Sequence, residues 1–469
     1  MALTADQVKV TALAQAGPVM ADMIGSALSA SYASPRQRSE PRLIRLAVGL
    51  PTVDPLLWLE AQSAADRVYW SDRAGEFEIA GVGVADQVEA DAGRTPADTL
   101  SELEARLSRE TEPLRYFGGY RFHDGGPDRT DEWRDFKTCR FVLPKFELCR
   151  TGRRFQFICN LRPDRDRRAD LMDALTDLSL SVVDKAPTLP PSTDRIDLPD
   201  RAAWNEAVDI VLNALAEGEL SKLVLARRTT LAFDGDLDPV RLMRRLKARS
   251  VGCFYFCFQF AGSAVFVGAS PERLYRRRGR FIDAEAVAGT RPRGDSVEED
   301  ARLGNDLLTS EKEVTEHRFV VEDIARVLNC VCHRREKSDN HGVVSLMKLA
   351  RVQHLTTRLE GELSDGHTDS SVLTLLHPTS AVGGVPAATA LPLIEELEPF
   401  DRGWYGGPVG WVGRDGAELA VGIRSGLVDG CRLHLYSGAG VVRGSTATGE
   451  WAEIESKLAN FLAALGEYV

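Results

Sequence analysis

A mixed α/β chain of the α+β kind is predicted, and two patterns predict it. Short β-like apolar runs bounded by polar turns recur along the chain, and longer stretches with apolar residues three and four apart lie among them. A Pro-rich interruption near residue 190 then marks a boundary.

Taken in order, residues 1–35 read as an Ala-rich N-terminal helical extension. Residues 36–185 form an α/β half, with strands such as Leu43–Val48 and Arg154–Cys159 around a helix from about Asp98 to Arg109. Residues 186–200 carry Pro187, Pro190, Pro191 and Pro199; proline fixes φ and removes a donor, so this segment reads as a linker. The remainder, 201–469, opens with a helix over about Asp200–Glu217 and strands at Lys222–Arg228 and Val265–Gly268. A long helix from about Ser296 to Asn329, a strand-rich stretch and an amphipathic helix over Gly449–Leu465 complete it. No repeat of fixed period and no low-complexity tract interrupts this order.

Composition narrows the function classes. With 43% hydrophobic and 27% charged residues, the 469-residue chain has the make-up of a globular protein. A net charge of −11 argues against a nucleic-acid surface, which needs a concentrated basic face. The cluster Arg276-Arg277-Arg278 reads as a solvated turn. Eight cysteines in this length are too sparse for a disulfide scaffold and fit a reducing compartment. Cys330, Cys332 and His333 lack a second pair at zinc-ribbon spacing, and Cys253 and Cys257 sit in an aromatic strand-like run, so these read as structural thiols. Asp6, Lys9 and Asp22 break up the N-terminus, which does not read as a signal peptide, and no apolar run is long enough to span a membrane. A cytoplasmic monomer is the default expectation.

Carboxylates in unusual places carry the chemistry. Glu316 shares a helical face with Val320 and Val327, and Glu313 lies one turn before it. In the closing helix, Trp451, Ile454, Leu458, Phe461 and Leu465 form an apolar stripe flanked by Glu450, Glu453 and Lys457. Carboxylates beside an apolar stripe are costly unless they are paired or bind a cation. Two such pairs suit one Mg²⁺, which takes oxygen ligands and keeps waters; surface salt bridges are the competing explanation.

Three glycine-bearing segments, 288–293, 405–410 and 437–440, could bring backbone N–H groups close to a carboxylate, or could be ordinary turns. Lys222 opens an apolar strand, and Glu272 follows Ser270-Pro271 after another. A desolvated lysine can act as a base and a desolvated carboxyl group as an acid; snorkelling or salt-bridging are the alternatives. Neither a phosphate loop nor a Gly-x-Ser-x-Gly elbow is present.

From about Leu220 onward these segments resemble the chorismate-utilising enzymes. The resemblance rests on Ser221–Arg227, Ala269–Leu274, Ala288–Pro292, Ser310–Lys312 with Glu316-His317, Leu376–Thr379, Phe400–Gly407, Ile423–Ser425, Ser437–Gly440 and Gly449–Trp451, in the family's order. It extends more weakly to Val53–Leu59, Val68–Trp70 and Arg115–Gly119. The fold it implies is two stacked antiparallel sheets flanked by helices, with the N-terminal half completing the sheets.

The same resemblance implies roles. Lys222 would be the base and Glu272 the acid. Mg²⁺ would be held by Glu316 and Glu453, with Glu313 and Glu450 in support. Chorismate would meet Gly289, Thr290, His354, Thr379, Arg424, Lys457 and the amides of Gly438, Ala439 and Gly440. Ala288 stands where the aminodeoxychorismate type places a lysine, and the segment His377–Pro386 is similar to that of the isochorismate type. Water is then the implied nucleophile and isochorismate the implied product, with the menaquinone type favoured by Phe400–Tyr405 and the long N-terminal half. Rival expectations are a salicylate synthase, a siderophore-pathway isochorismate synthase and a non-catalytic chorismate-binding subunit.

Overall fold

The structure, a computed structural model, describes residues 8–33, 42–91, 93–123, 131–334 and 342–466. In chain order the N-terminal strands are β1 (Ile44–Leu50), β2 (Arg67–Ser71), β3 (Phe77–Ala90), β4 (Arg115–Tyr120), β5 (Cys139–Thr151) and β6 (Arg154–Leu161). Then come β7 (Ser192–Leu198), β8 (Lys222–Phe233), β9 (Phe254–Gln259), β10 (Val265–Ser270), β11 (Arg273–Arg278) and β12 (Phe281–Pro292). The last group is β13 (Cys332–Arg334), β14 (Ser345–Lys348), β15 (Val352–Leu363), β16 (Gly384–Val385), β17 (Pro408–Gly413), β18 (Gly416–Val421), β19 (Ser425–Asp429) and β20 (Arg432–Val441).

These strands pair antiparallel throughout and form two layers. One runs β7-β8-β20-β19-β10-β9-β2-β3-β5-β6-β1. The other leaves the first part of β5 and continues β4-β17-β18-β11-β12-β15. Strand β5 therefore serves both layers. Pro144 lies at its centre, opposite a register shift between Val84 and Asp86 of β3. A bulge facing a residue without an N–H bends the pair, letting one strand feed two layers.

An aromatic core joins the layers. Phe256, Phe258 and Phe266 of one pack with Trp404, and with Phe117 and Val409 of the other. The ring centroids of Phe256 and Phe266 lie 5.2 Å apart, and Phe258 meets Trp404 edge-on at 6.2 Å. Each buried ring contributes roughly 1.5–3 kcal/mol relative to exposure.

Helices cover the outer faces: α1 (Ala16–Ala33), α2 (Pro55–Glu60), α3 (Pro96–Leu107), α4 (Arg168–Thr176), α5 (Arg201–Glu217), α6 (Pro239–Arg249), α7 (Val297–Thr309), α8 (Glu311–Val331), α9 (Asp369–Leu376), α10 (Ala387–Leu397) and α11 (Ala447–Leu465). Helix α1 docks through Ala16, Met20, Ile24 and Leu28, buried at four-residue spacing. The rest of the expected 1–35 extension, residues 1–7 and 34–35, lies outside the described residues.

Two sequence expectations need correction. The helix expected over 296–329 is two helices, broken at Ser310, whose extended ψ of 114° ends one and starts the next. Acidic Glu311 and Glu313 then fill the new first turn, where they complement the helix dipole. Within the Pro-rich 186–200 segment, Ser192–Leu198 forms an edge strand paired with β8. Its prolines bracket the strand, and an edge is where a sheet tolerates them.

Candidate active site

Helices α8 and α11 bring their carboxylates to one place because each is fixed by its apolar stripe. Val320, Ile324, Val327 and Val331 anchor α8, and Ile454, Leu458, Phe461 and Leu465 anchor α11. Those stripes turn the first coils of both helices toward the ends of β8, β12 and β20.

Every one of the four glutamates has a cationic partner. Glu316 Oε1 is 3.0 Å from Lys222 Nζ, and Glu453 Oε1 is 2.7 Å from Lys457 Nζ. Arg291 Nη1 donates to Glu313 Oε1 at 2.7 Å, and Lys312 Nζ donates to Glu450 Oε1 at 2.7 Å. The second oxygen of Glu450 is buried with no donor in hydrogen-bonding geometry, and burial, reinforced by the charge of Glu453, raises its pKa against the pull of Lys312 and Ser445. Among the described residues no three Asp, Glu, His or Cys side chains form a ready-made metal cluster. An orphaned carboxylate oxygen beside a second carboxylate nevertheless fits a hard cation that draws only part of its coordination from protein.

Between these helices and the sheet lies a partly enclosed cavity. Glu272, Glu316, Glu453, Lys457, Arg424 and His354 face it, together with Gly289, Thr290, Gly438 and Gly440. Lys222 stands just behind: a Cβ on Gly440 would lie 3.1 Å from Lys222 Cε and 2.2 Å from Glu316 Oε1. Glycine at 440 thus leaves room for the lysine–glutamate pair. The lysine nitrogen is fully buried, and its approach to Glu316 lacks the alignment of a hydrogen bond.

Glu272 is held protonated. Burial pushes its pKa up to about 8, against the pull of Lys222, so the carboxyl group is largely protonated at neutral pH. Its backbone is pinned: Glu272 O accepts from Val421 N at 3.1 Å, and Pro271 O accepts from Arg73 Nη1 at 2.9 Å. The same guanidinium grips Glu285 with both terminal nitrogens.

The cationic end of the cavity is set by Arg424, Lys457 and His354. Arg424 adopts φ +49°, unusual for a side-chain-bearing residue, and donates to Lys457 O at 3.1 Å. His354 Nδ1 lies 3.1 Å from the carbonyl of Gly289, a pure acceptor, so this nitrogen carries the hydrogen. Burial and the charges of Arg424 and Lys457 lower its pKa to about 3 and keep the ring neutral. Gly289 has φ +76°, which a glycine tolerates and which points that carbonyl at the histidine.

Two expected contacts are not assembled as proposed. In the ladder, Ala439 is opposite Leu225, whereas Val224 N and Ala226 N bond outward to Gly383 O and Glu398 Oε1. Antiparallel alternation therefore commits the Ala439 amide to β8 and turns those of Gly438 and Gly440 away from it. Consistent with this, Gly438 O accepts from Lys457 Nζ at 2.7 Å, and Ala439 lies in the core. Thr379 is also absent from the cavity wall; its carbonyl accepts from Val382 N and Gly383 N and shapes the turn that brings Ala381 and Val382 there. Glu313 and Glu450 stand behind the wall as well.

Sequence reasoning did not single out Tyr405, which faces the cavity and stacks on Tyr436 at 5.5 Å. Its place between Trp404 and Gly406-Gly407 was the available signal. Behind it, Arg402 bonds Glu398, Val382 O and Val224 O, tying the loop to β8.

Comparison with known proteins places this geometry. The family described as chorismate binding enzyme matches residues 26–466. The isochorismate synthase MenF of Haemophilus influenzae is 31% identical over 432 residues, 92% of this chain and 94% of that protein. The chloroplastic isochorismate synthase 2 of Arabidopsis thaliana is 35% identical over 380 residues, covering 78% of this chain and 67% of its own length. In three dimensions, MenF of Escherichia coli, the menaquinone-specific isochorismate synthase, superposes with a TM-score of 0.80 at 28% identity, covering 94% of this chain and 99% of its own. A match of this extent, over a cavity with these groups, makes the chain a member of the chorismate-binding enzymes.

Proposed function

We propose that this chain is an isochorismate synthase, which isomerises chorismate by adding water at C2 and expelling the C4 hydroxyl. The observation that carries the reading is a buried carboxyl group that faces the cavity, Glu272, held protonated by burial up to about pH 8, with a buried lysine, Lys222, just behind the cavity wall. Addition needs a base and departure needs an acid, and these two residues supply both.

In its neutral form, Lys222 removes a proton from the water that forms the C2–O bond. Glu272 donates its proton to the C4 oxygen, which leaves as water. The ring and its exchanged hydroxyl balance; Lys222 then loses the proton it took up, and Glu272 regains the one it gave, through solvent. Arg424, Lys457 and the outward amides of Gly438 and Gly440 hold substrate carboxylates, while neutral His354 and Thr290 border the ring. Fixing the reactants in this way supplies the positional part of the catalysis.

Magnesium belongs to this reading, with Glu316 and Glu453 as ligands and Glu313 and Glu450 in support. When bound, it neutralises and orients a substrate carboxylate. Orphaned Glu450 Oε2, and Glu316 and Glu453 facing the same cavity, support that assignment. Ala288 lines the cavity where the resemblance places a lysine in aminodeoxychorismate synthases, which favours water over an amine. We assign the product to menaquinone formation on the similarity to the menaquinone-specific MenF of Escherichia coli, with the cytoplasm as the location expected from the sequence. Among the described residues no helix is long and apolar enough to cross a membrane.

The test is chromatography of chorismate incubated with the purified chain and MgCl₂. Isochorismate without salicylate is the expected product. Salicylate with pyruvate would favour the lyase-active relatives, and unchanged chorismate would defeat the assignment.

A further inference from the structure

The four cations that partner the glutamates are not equivalent. Lys222 is enclosed, Lys457 also donates to Gly438 O, and Arg291 also donates to Thr290 O. Lys312 is different. Its hydrogen bond is to Glu450 Oε1, its side chain is about 30% exposed, and it does not line the cavity. Nothing in the proposed reaction uses it.

Its target is the most enclosed of the four glutamate side chains, at 1% exposure, and carries the buried oxygen that has no donor. The charge of Lys312 also acts on Glu453, whose carboxylate it helps to stabilise. One ammonium therefore offsets the repulsion between two carboxylates of the same helix turn.

We propose that Lys312 is a built-in competitor for the cation: its ammonium occupies the Glu450 and Glu453 face and lowers that face's affinity for a divalent ion, so that Mg²⁺ binds and leaves readily. This rests on the magnesium reading above. A divalent ion arriving at Glu453 meets a positive charge that cannot diffuse away, because Lys312 is fixed on α8. Simple charge balance predicts the consequence. Removing that ammonium leaves Glu450 short of donors and lifts the repulsion, so the ion binds more tightly. If Lys312 instead serves only to hold Glu450 in place, its removal loosens the site and binding weakens.

The experiment titrates the full chain with MgCl₂ at pH 8 and fixed ionic strength, by calorimetry and by the metal-dependent rise in melting temperature. Lys312→Met, which keeps the aliphatic stem, is expected to lower the Kd for Mg²⁺ by at least about tenfold, a small fraction of what one unit charge several ångströms from a divalent ion would give at an effective dielectric near 20, because the glutamates and solvent relax around the lost charge. Lys312→Arg keeps the charge and is expected to bind like the wild type. Should the methionine variant fail to fold, Lys312→Gln is read in the same way. Unchanged or weaker Mg²⁺ binding by a folded, uncharged variant overturns the proposal while leaving the magnesium reading intact. Failure of the wild type to show saturable Mg²⁺ binding overturns both.

Discussion

Enclosure away from water is what keeps a proton on Glu272 near neutral pH. Its carboxyl group is pushed up to about 8 by burial, so an activity that needs it protonated should fall as pH rises through that region. Glu272→Gln removes the proton and should lower kcat by on the order of 10²–10⁴ across the pH range. Stability should move the other way. An unfolded glutamate ionises near its ordinary value while the folded one keeps its proton up to about pH 8, so the folded state binds more protons between these limits. Stability therefore declines over that window, and Glu272→Gln should abolish the decline and gain roughly 1–3 kcal/mol at pH 8. Urea unfolding of both proteins at pH 5 and pH 8 checks the sign, and a larger loss in the variant at pH 8 contradicts it. Lys222→Ala should also cost about 10²–10⁴ in kcat, as expected of a general base. Both residues were legible as polar groups set against apolar strands. The proton on Glu272 was not settled by sequence, because it depends on enclosure by elements far apart in the chain.

At the scale of elements, strand β20 and helices α8 and α11 make the site by leaving space as much as by filling it. A Cβ at Gly440 would meet Glu316 Oε1 at 2.2 Å and Lys222 Cε at 3.1 Å, so Gly440→Ala must displace the carboxylate or the lysine. The displaced atoms are ends of flexible side chains, and the cost should fall on function. We expect at least about a hundredfold loss in kcat/KM with little change in melting temperature, since a 1 Å misplacement near the chemistry can cost that much. Near-normal turnover by this variant would remove Gly440 from the site. The helical stripes and glutamate spacing were readable as a 3.6-residue period. The break at Ser310 was harder, because apolar periodicity continues across it and only Thr309-Ser310 followed by Glu311 marks the start of α8. Likewise, Ser437–Gly440 reads as a glycine-rich turn, and only its pairing with β8 reveals a strand whose alternate amides are turned outward.

Across the whole molecule, the chemistry clusters after residue 220 while the sheet ignores that boundary. Strand β2 pairs with β9, and β4 pairs with β17, so N-terminal strands cover edges of the catalytic half. The isolated segment 201–469 should therefore lack a cooperative unfolding transition, because uncovered edges and the part of the aromatic core that packs on Trp70, Phe117, Trp133 and Phe136 would face water. A sharp thermal transition in that fragment, followed by circular dichroism, would contradict this. Alternating strands and helices made the α+β class legible, and the resemblance supplied the stacked layers. The pairing of β3 with both layers through β5 was not legible, since long-range partners leave little local trace.

Water, activated beside Lys222, should become the C2 hydroxyl of the product. Incubating the chain with chorismate and MgCl₂ in H₂¹⁸O, followed by mass spectrometry of the isochorismate, tests it most directly. One ¹⁸O atom in the C2 hydroxyl is the predicted result, and isochorismate formed without label would contradict the account.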